Sequence, residues 1–261
     1  MEITLLLLVG FIIGFIMISL GMGAALYIGS FITLFGLTAK TAAASALVTT
    51  LPALIIATLI YHGVRKKHDR ESHHHRQEHR LLFWALVGTL GGSLLVNRIN
   101  QHYYQIIISV ILVVLALSIL YKTIIIPHLH HQTRPTQTRL NQVMADGTGI
   151  VSGVMTGLAG MSGGGPLVAG MFLVNASLED AVAASAFIRT WTTIVGIGLH
   201  WPTMTIAWHP VIIMSLGTIV GAALAPLVMQ HLPGKTKQTF SRVMKPIIAL
   251  ILLYLGVKPF I

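Results

Sequence analysis

Long apolar runs alternate along the chain with short polar stretches, and their lengths predict the elements. Leu5 to Leu20 is an apolar helix carrying Gly10 and Gly14; Gly21-Met22-Gly23 interrupts it, and Ala24 to Phe35 forms a short second piece. Twelve helical residues span only about 18 Å, less than the hydrocarbon core of a bilayer. Lys40 to Tyr61 is a full-length span with Pro52 inside it, and Val64 to Arg80 is a polar loop. Leu81 to Val96 and Tyr103 to Ile126 are two further spans joined by the turn Asn-Arg-Ile-Asn-Gln-His, and Pro127 to Asp146 is a long polar linker. The second half repeats the scheme with Gly147 to Gly160, a break, Leu167 to Val174, Leu178 to Trp201, Val211 to Met229 and Phe240 to Ile261.

The second break is the densest feature. Gly157 to Leu173 reads GLAGMSGGGPLVAGMFL, and four of the six residues from Gly160 to Gly165 are glycine. Such a stretch continues a helix poorly and lets backbone approach closely. Pro166 is expected to open a new helix, since its ring presets a helical φ and its missing N–H would be unpaired in a first turn. A broken helix at membrane depth is tolerable only against protein or a wet cavity. The N–H groups opening its second half suit an anion. The competing expectation is a helix-packing seam of small residues through Gly153, Gly157, Gly160 and Gly164.

The halves superpose without a gap from Gly21 to Tyr61. Ala43-Ala44-Ser45-Ala46 falls on Ala183-Ala184-Ser185-Ala186, Thr50 on Thr190 and Gly23 on Gly163. This predicts an internal duplication: a first membrane repeat at 1–126, a cytoplasmic linker at 127–146 and a second repeat at 147–261. The basic residues fall in three clusters: Arg65, Lys66, Lys67, Arg70, Arg76 and Arg80; Arg134 and Arg139; Lys235, Lys237 and Arg242. All three belong in the cytoplasm only if each half crosses an odd number of times. The fold expected is therefore an all-α polytopic membrane protein of two inverted repeats, each with a broken or re-entrant helix at a glycine-rich motif, with about 8–10 membrane segments.

Composition agrees. Of 261 residues 54% are hydrophobic and 9% charged, and the chain has no cysteine. Disulfides and thiolate metal sites are excluded. The net charge of +10 lies between apolar spans, where it sets orientation and meets anionic lipid, so nucleic acid is not an expected partner. The apolar start begins Met-Glu without a basic region, which argues against a cleaved signal peptide. No cofactor and no metal site are expected; the partners expected are a small anion and the lipid bilayer, and the pattern is compatible with a homo-oligomer.

The acidic residues Glu2, Asp69, Glu71, Glu78, Asp146, Glu179 and Asp180 all fall in predicted loops or at helix starts. With no carboxylate mid-membrane, a cation substrate is disfavoured. Arg189 lies about 15 Å into the span that opens near Glu179, where a charge is costly and marks a functional candidate. Its planar fork suits an oxyanion, and its counterpart in the first repeat is Thr49. Ser45, Thr49, Thr50, Ser185 and Thr190 lie on the same two helices, where hydroxyls also bond their own backbone. His68, His73, His74, His75 and His79 crowd one loop and His128, His130 and His131 the next; they are read as solvated, with zinc binding by His75 and His79 as the alternative. His200 and Trp201 are expected to anchor a span at the interface.

GMSGGGPLV followed by AVAASAFIRT, with the weaker copies GMGAALYIG and TAAASALVTT in the first half, resembles the TauE/SafE sulfite exporter family of membrane permeases. In the first half Ala24 and Ala25 stand where glycines are expected and Leu26 where the proline is. The resemblance implies secondary transport of sulfite, thiosulfate or sulfonates across a bacterial or archaeal inner membrane. The residues expected to bind substrate are Gly21, Gly23, Ser45, Thr49, Gly160, Ser162, Gly163, Gly164, Gly165, Ser185, Arg189 and Thr190. The alternatives are a permease or channel for another anion or for metal ions using the histidine loops, and a non-catalytic scaffold. A membrane enzyme is disfavoured because no paired intramembrane acid and base are present.

Overall fold

A computed structural model describes residues 3–21, 24–67, 75–96, 98–121, 139–161, 163–176, 178–202 and 204–258. Among the described residues there are ten helices and no strand: α1 (Ile3–Leu20), α2 (Ala24–Phe35), α3 (Ala39–Lys67), α4 (His75–Val96), α5 (Gln101–Leu120), α6 (Arg139–Ala159), α7 (Gly164–Leu173), α8 (Leu178–His200), α9 (Trp208–His231) and α10 (Gly234–Val257). Seven are long and apolar enough to cross a bilayer, α1, α3, α4, α5, α8, α9 and α10, while α2 and α7 are short apolar helices. The exterior is apolar: Leu59, Leu94 and Leu216 are 66%, 67% and 56% exposed. The interior is built from small and hydroxylated residues such as Ala46, Ala184, Ser45 and Thr192. This is the arrangement of a chain whose solvent is lipid.

Helix ends extend beyond the apolar runs. α6 begins at Arg139, within the stretch read as linker, because Arg80 of α4 pairs with Asp146 and donates to Gln142 Oε1 at 3.2 Å, holding these polar turns against α4. Asp146 is thus inside a helix rather than in a loop. α3 likewise runs on to Lys67 and α4 starts at His75.

Two glycine seams bind the halves to each other. Gly10 and Gly14 of α1 lie against the backbone of Met214 and Thr218, and Gly217 and Gly221 of α9 lie against Leu7 and Phe11. In the second seam Gly88 and Gly92 of α4 meet Ile150 and Val154 of α6, while Gly153 and Gly157 of α6 meet Ala85 and Thr89. A Cβ on Gly153 would stand 1.9 Å from the Ala85 carbonyl oxygen, so only glycine permits this approach. Residue numbers rise together along both seams, so each pair runs parallel. The seams are also equivalent: the fourth helix of each half packs on the first helix of the other, and each carries a Gly-Thr pair, Gly88-Thr89 and Gly217-Thr218. The Tyr27 hydroxyl of α2 reaches the Gly10 carbonyl at 3.2 Å and the Thr218 hydroxyl at 2.5 Å, tying α2 to the first seam.

The corresponding helices α3 and α8 cross the centre antiparallel. The Thr58 hydroxyl meets that of Thr190 at 3.0 Å, and further back on α3 Leu47 comes within reach of Gly196. A cavity of about 360 Å³ fixes one end of the bundle, being lined from the start of α3 and α5, the ends of α4, α6 and α8, and the approach to α9. The end of α3, the start of α4, the start of α6 and the α9–α10 turn therefore lie at the opposite end.

Candidate functional site

Both breaks are helix caps of one design. Gly160 ends α6 with φ +64°, its N–H bonded to Thr156 O at 3.1 Å and that of Met161 to Met155 O at 3.3 Å. This left-handed turn requires glycine. Gly21 follows α1 with φ +68°, in the same left-handed region. The gapless sequence superposition places Gly21 on Met161, yet the turn is made at Gly160, so the second break is one residue longer. In the left-handed conformation Met161 would bear a steric cost that its glycine neighbour does not. Beyond the break α7 begins at Gly164, which puts Pro166 in its third position rather than its first. Gly163 is the N-cap and, having no side chain, makes no cap bond to the first N–H groups of α7.

The two breaks touch. A Cβ on Gly164 would lie 1.8 Å from the Gly21 carbonyl oxygen and 2.9 Å from Arg189 Nη1. Arg189, only 1% exposed, comes from the middle of α8 and donates through Nη1 to the Gly21 carbonyl at 3.5 Å. The Ser185 hydroxyl, one turn earlier, donates to Gly164 O at 3.4 Å. Gly21, Gly164, Ser185 and Arg189 thus form one buried cluster drawn from both halves. The guanidinium here is buried, and its contact with the Gly21 carbonyl lies at the long limit of hydrogen bonding.

The other candidates stand apart from this cluster. Thr49 donates to Ser45 O at 2.8 Å and so serves its own helix backbone, while Thr190 donates to Ala186 O at 2.9 Å and also meets Thr58 across to α3. Ser45 Oγ accepts the Ala207 N–H at 3.1 Å and fixes the approach to α9. Gly160 packs on the Ala43 carbonyl of α3. The seam reading also holds for part of its series: Gly153 and Gly157 lie in the α4–α6 seam, whereas Gly160 and Gly164 flank the break. Gly23 and Ser162 lie outside the described residues, as do His68, His73, His74, His128, His130 and His131. His79 is exposed and packs edge-on to Phe187. His200 is not an interfacial anchor: it is buried, with Nε2 2.7 Å from Gly157 O, while Trp201 is 59% exposed.

Two hydroxyls join the candidates that sequence reasoning singled out. Ser152 Oγ on α6 is fully buried with no hydrogen-bond partner among the described residues, and it lies against Gly163, where a Cβ would stand 2.5 Å away. Thr193 Oγ1, one turn beyond Arg189, is buried in the same condition. A buried polar atom left unsatisfied is costly and calls for a ligand or water. The signal available in sequence was a lone serine in the small-residue run Gly149 to Gly157.

A family model described as Sulfite exporter TauE/SafE matches residues 6–258. The chain belongs to the TauE/SafE sulfite exporter family. Members of this family are membrane transporters rather than enzymes, and with seven apolar spans the chain is a multi-pass protein of the cell membrane. No curated protein and no solved structure matches it.

Proposed function

We propose that this TauE/SafE protein is a secondary transporter of small sulfur oxyanions such as sulfite, thiosulfate or sulfonates, working by alternating access between two inverted halves. The observation that carries the reading is Arg189, a buried cation held between the two helix breaks and beside the uncapped N-terminus of α7. Arg189 supplies charge and a planar fork, Gly164 and Gly165 supply N–H groups, and Ser185 and Ser152 supply hydroxyls. An arriving oxyanion takes the position at Arg189 that the Gly21 carbonyl occupies. Binding thereby separates the two breaks, and occupancy is coupled to movement of one half against the other.

Inversion is supported by the antiparallel crossing of α3 and α8 and by the exchanged seams. The end of α3, the starts of α4 and α6 and the start of α10, where the described basic residues cluster, lie at the end opposite the cavity, and we take that end as cytoplasmic by the positive-inside rule. The test is flux of labelled sulfite, thiosulfate and taurine in proteoliposomes. At least one should move faster than through protein-free liposomes; no excess flux of any of them contradicts the reading.

A further inference from the structure

A cavity lies at the end of the bundle where α3 and α5 begin, apart from the cluster around Arg189. It holds about 360 Å³ and is lined by Thr38, Lys40, Gln101, Tyr104, His200 and Thr205 among others, with no carboxylate among the described lining residues. This volume falls in the range of small-molecule sites. Lys40 Nζ donates to Ile99 O at 2.7 Å and to Val96 O at 3.5 Å, and sits 5.8 Å from the centre of the Tyr104 ring. Carbonyls at the end of α4 and an aromatic face both suit a cation at this place. An ammonium has three N–H donors; two serve these carbonyls, and the third has no partner among the described residues and is open to a guest. The wall opposite is joined to the second break: Gly160 lines the cavity, and His200 donates through Nε2 to Gly157 O at 2.7 Å.

We propose that this cavity is a second oxyanion site in series with the one at Arg189, an outer vestibule in which Lys40 supplies the charge. It takes the same class of ligand, a small hydrated sulfur oxyanion, and so rests on the transport reading above. Its position against Gly160 places an ion one step from the break without requiring that both sites be filled together.

The chain has no cysteine, so a single thiol can report occupancy. Thr205→Cys, exposed at the mouth, is labelled in detergent with an anionic methanethiosulfonate reagent and with a cationic one of similar size, with ethanesulfonate as the competing probe. The anionic reagent should react faster, and ethanesulfonate should slow it. Lys40→Gln should raise the half-protecting concentration about tenfold or more, the effect of losing a charge-assisted hydrogen bond. Lys40→Arg should stay near the parent. Absence of protection, or equal protection in Lys40→Gln, overturns the proposal. Should Lys40→Gln not fold, faster labelling of the Lys40 protein by the cationic reagent overturns it equally. Because labelling reads occupancy alone, protection without flux of any sulfur oxyanion would keep the vestibule and remove the transport reading.

Discussion

Replacing Gly164 by Ala attacks the point where the two breaks meet. The new Cβ would stand 1.8 Å from the Gly21 carbonyl oxygen. Carbon and carbonyl oxygen approach no closer than about 3.3 Å even in favourable C–H···O contacts, so the breaks must part by roughly 1.5 Å. The Gly21 oxygen is backbone and cannot swing aside, while Arg189 Nη1, 2.9 Å from the same Cβ, is a side-chain tip that would have to shift. Overpacking of this kind typically costs about 1 to 3 kcal/mol. The same shift carries the Arg189–Gly21 contact, already 3.5 Å, out of hydrogen-bond range. Gly153→Ala provides the contrast, since its Cβ meets Ala85 O at 1.9 Å in the α4–α6 seam, away from Arg189. Both variants should lose thermal stability in detergent, followed by the monodisperse fraction after heating. Only Gly164→Ala should also lose sulfite affinity per folded molecule. Parent-like stability and affinity in Gly164→Ala would refute the contact between the breaks, and equal affinity losses in both variants would refute the distinction between seam and site.

Three further outcomes are expected. Single cysteines at Lys235 and at Arg139 should resist an impermeant thiol reagent in intact cells and react once the membrane is opened; labelling from outside would contradict the inverted arrangement. Tyr27→Phe removes a hydroxyl that reaches Gly10 O and Thr218, so it should lower stability by about 1 kcal/mol in a thermal or denaturant assay while leaving anion affinity unchanged. Replacing His73, His74, His75 and His79 together by Ala should leave flux unchanged; a loss that zinc or nickel modulates would favour the metal alternative.

Spans were legible because a lipid-facing helix must be apolar around most of its surface, and no other pattern meets that demand. Helix ends were less so: Arg139 to Asp146 reads as linker until Arg80 is seen to pair with Asp146 across to α4. The break at Gly160 to Gly164 was visible as glycine density, but the residue making the turn was not, since any of several glycines could adopt positive φ. Arg189 stood out by depth alone. Its neighbours did not, because the meeting of Gly21 with Gly164 joins residues from opposite halves, and no local pattern encodes that. Lys40 reads as an ordinary span-opening lysine; only the assembled cavity gives it company. Ser152 is one small residue among many, and it acquires meaning from having no partner where it is buried.

The account turns on Arg189 as the anion's charge partner. The direct measurement is sulfite affinity per folded molecule for Arg189→Lys and Arg189→Ala in nanodiscs, with the folded fraction set by monodisperse elution. Losing one partner of a desolvated charge pair costs about 2 to 5 kcal/mol, so Arg189→Ala should bind at least about thirtyfold more weakly. Arg189→Lys, which keeps the charge and loses the fork, should fall between Arg189→Ala and the parent. Unchanged affinity in folded Arg189→Ala would contradict the claim and leave Arg189 a structural tie between the two breaks.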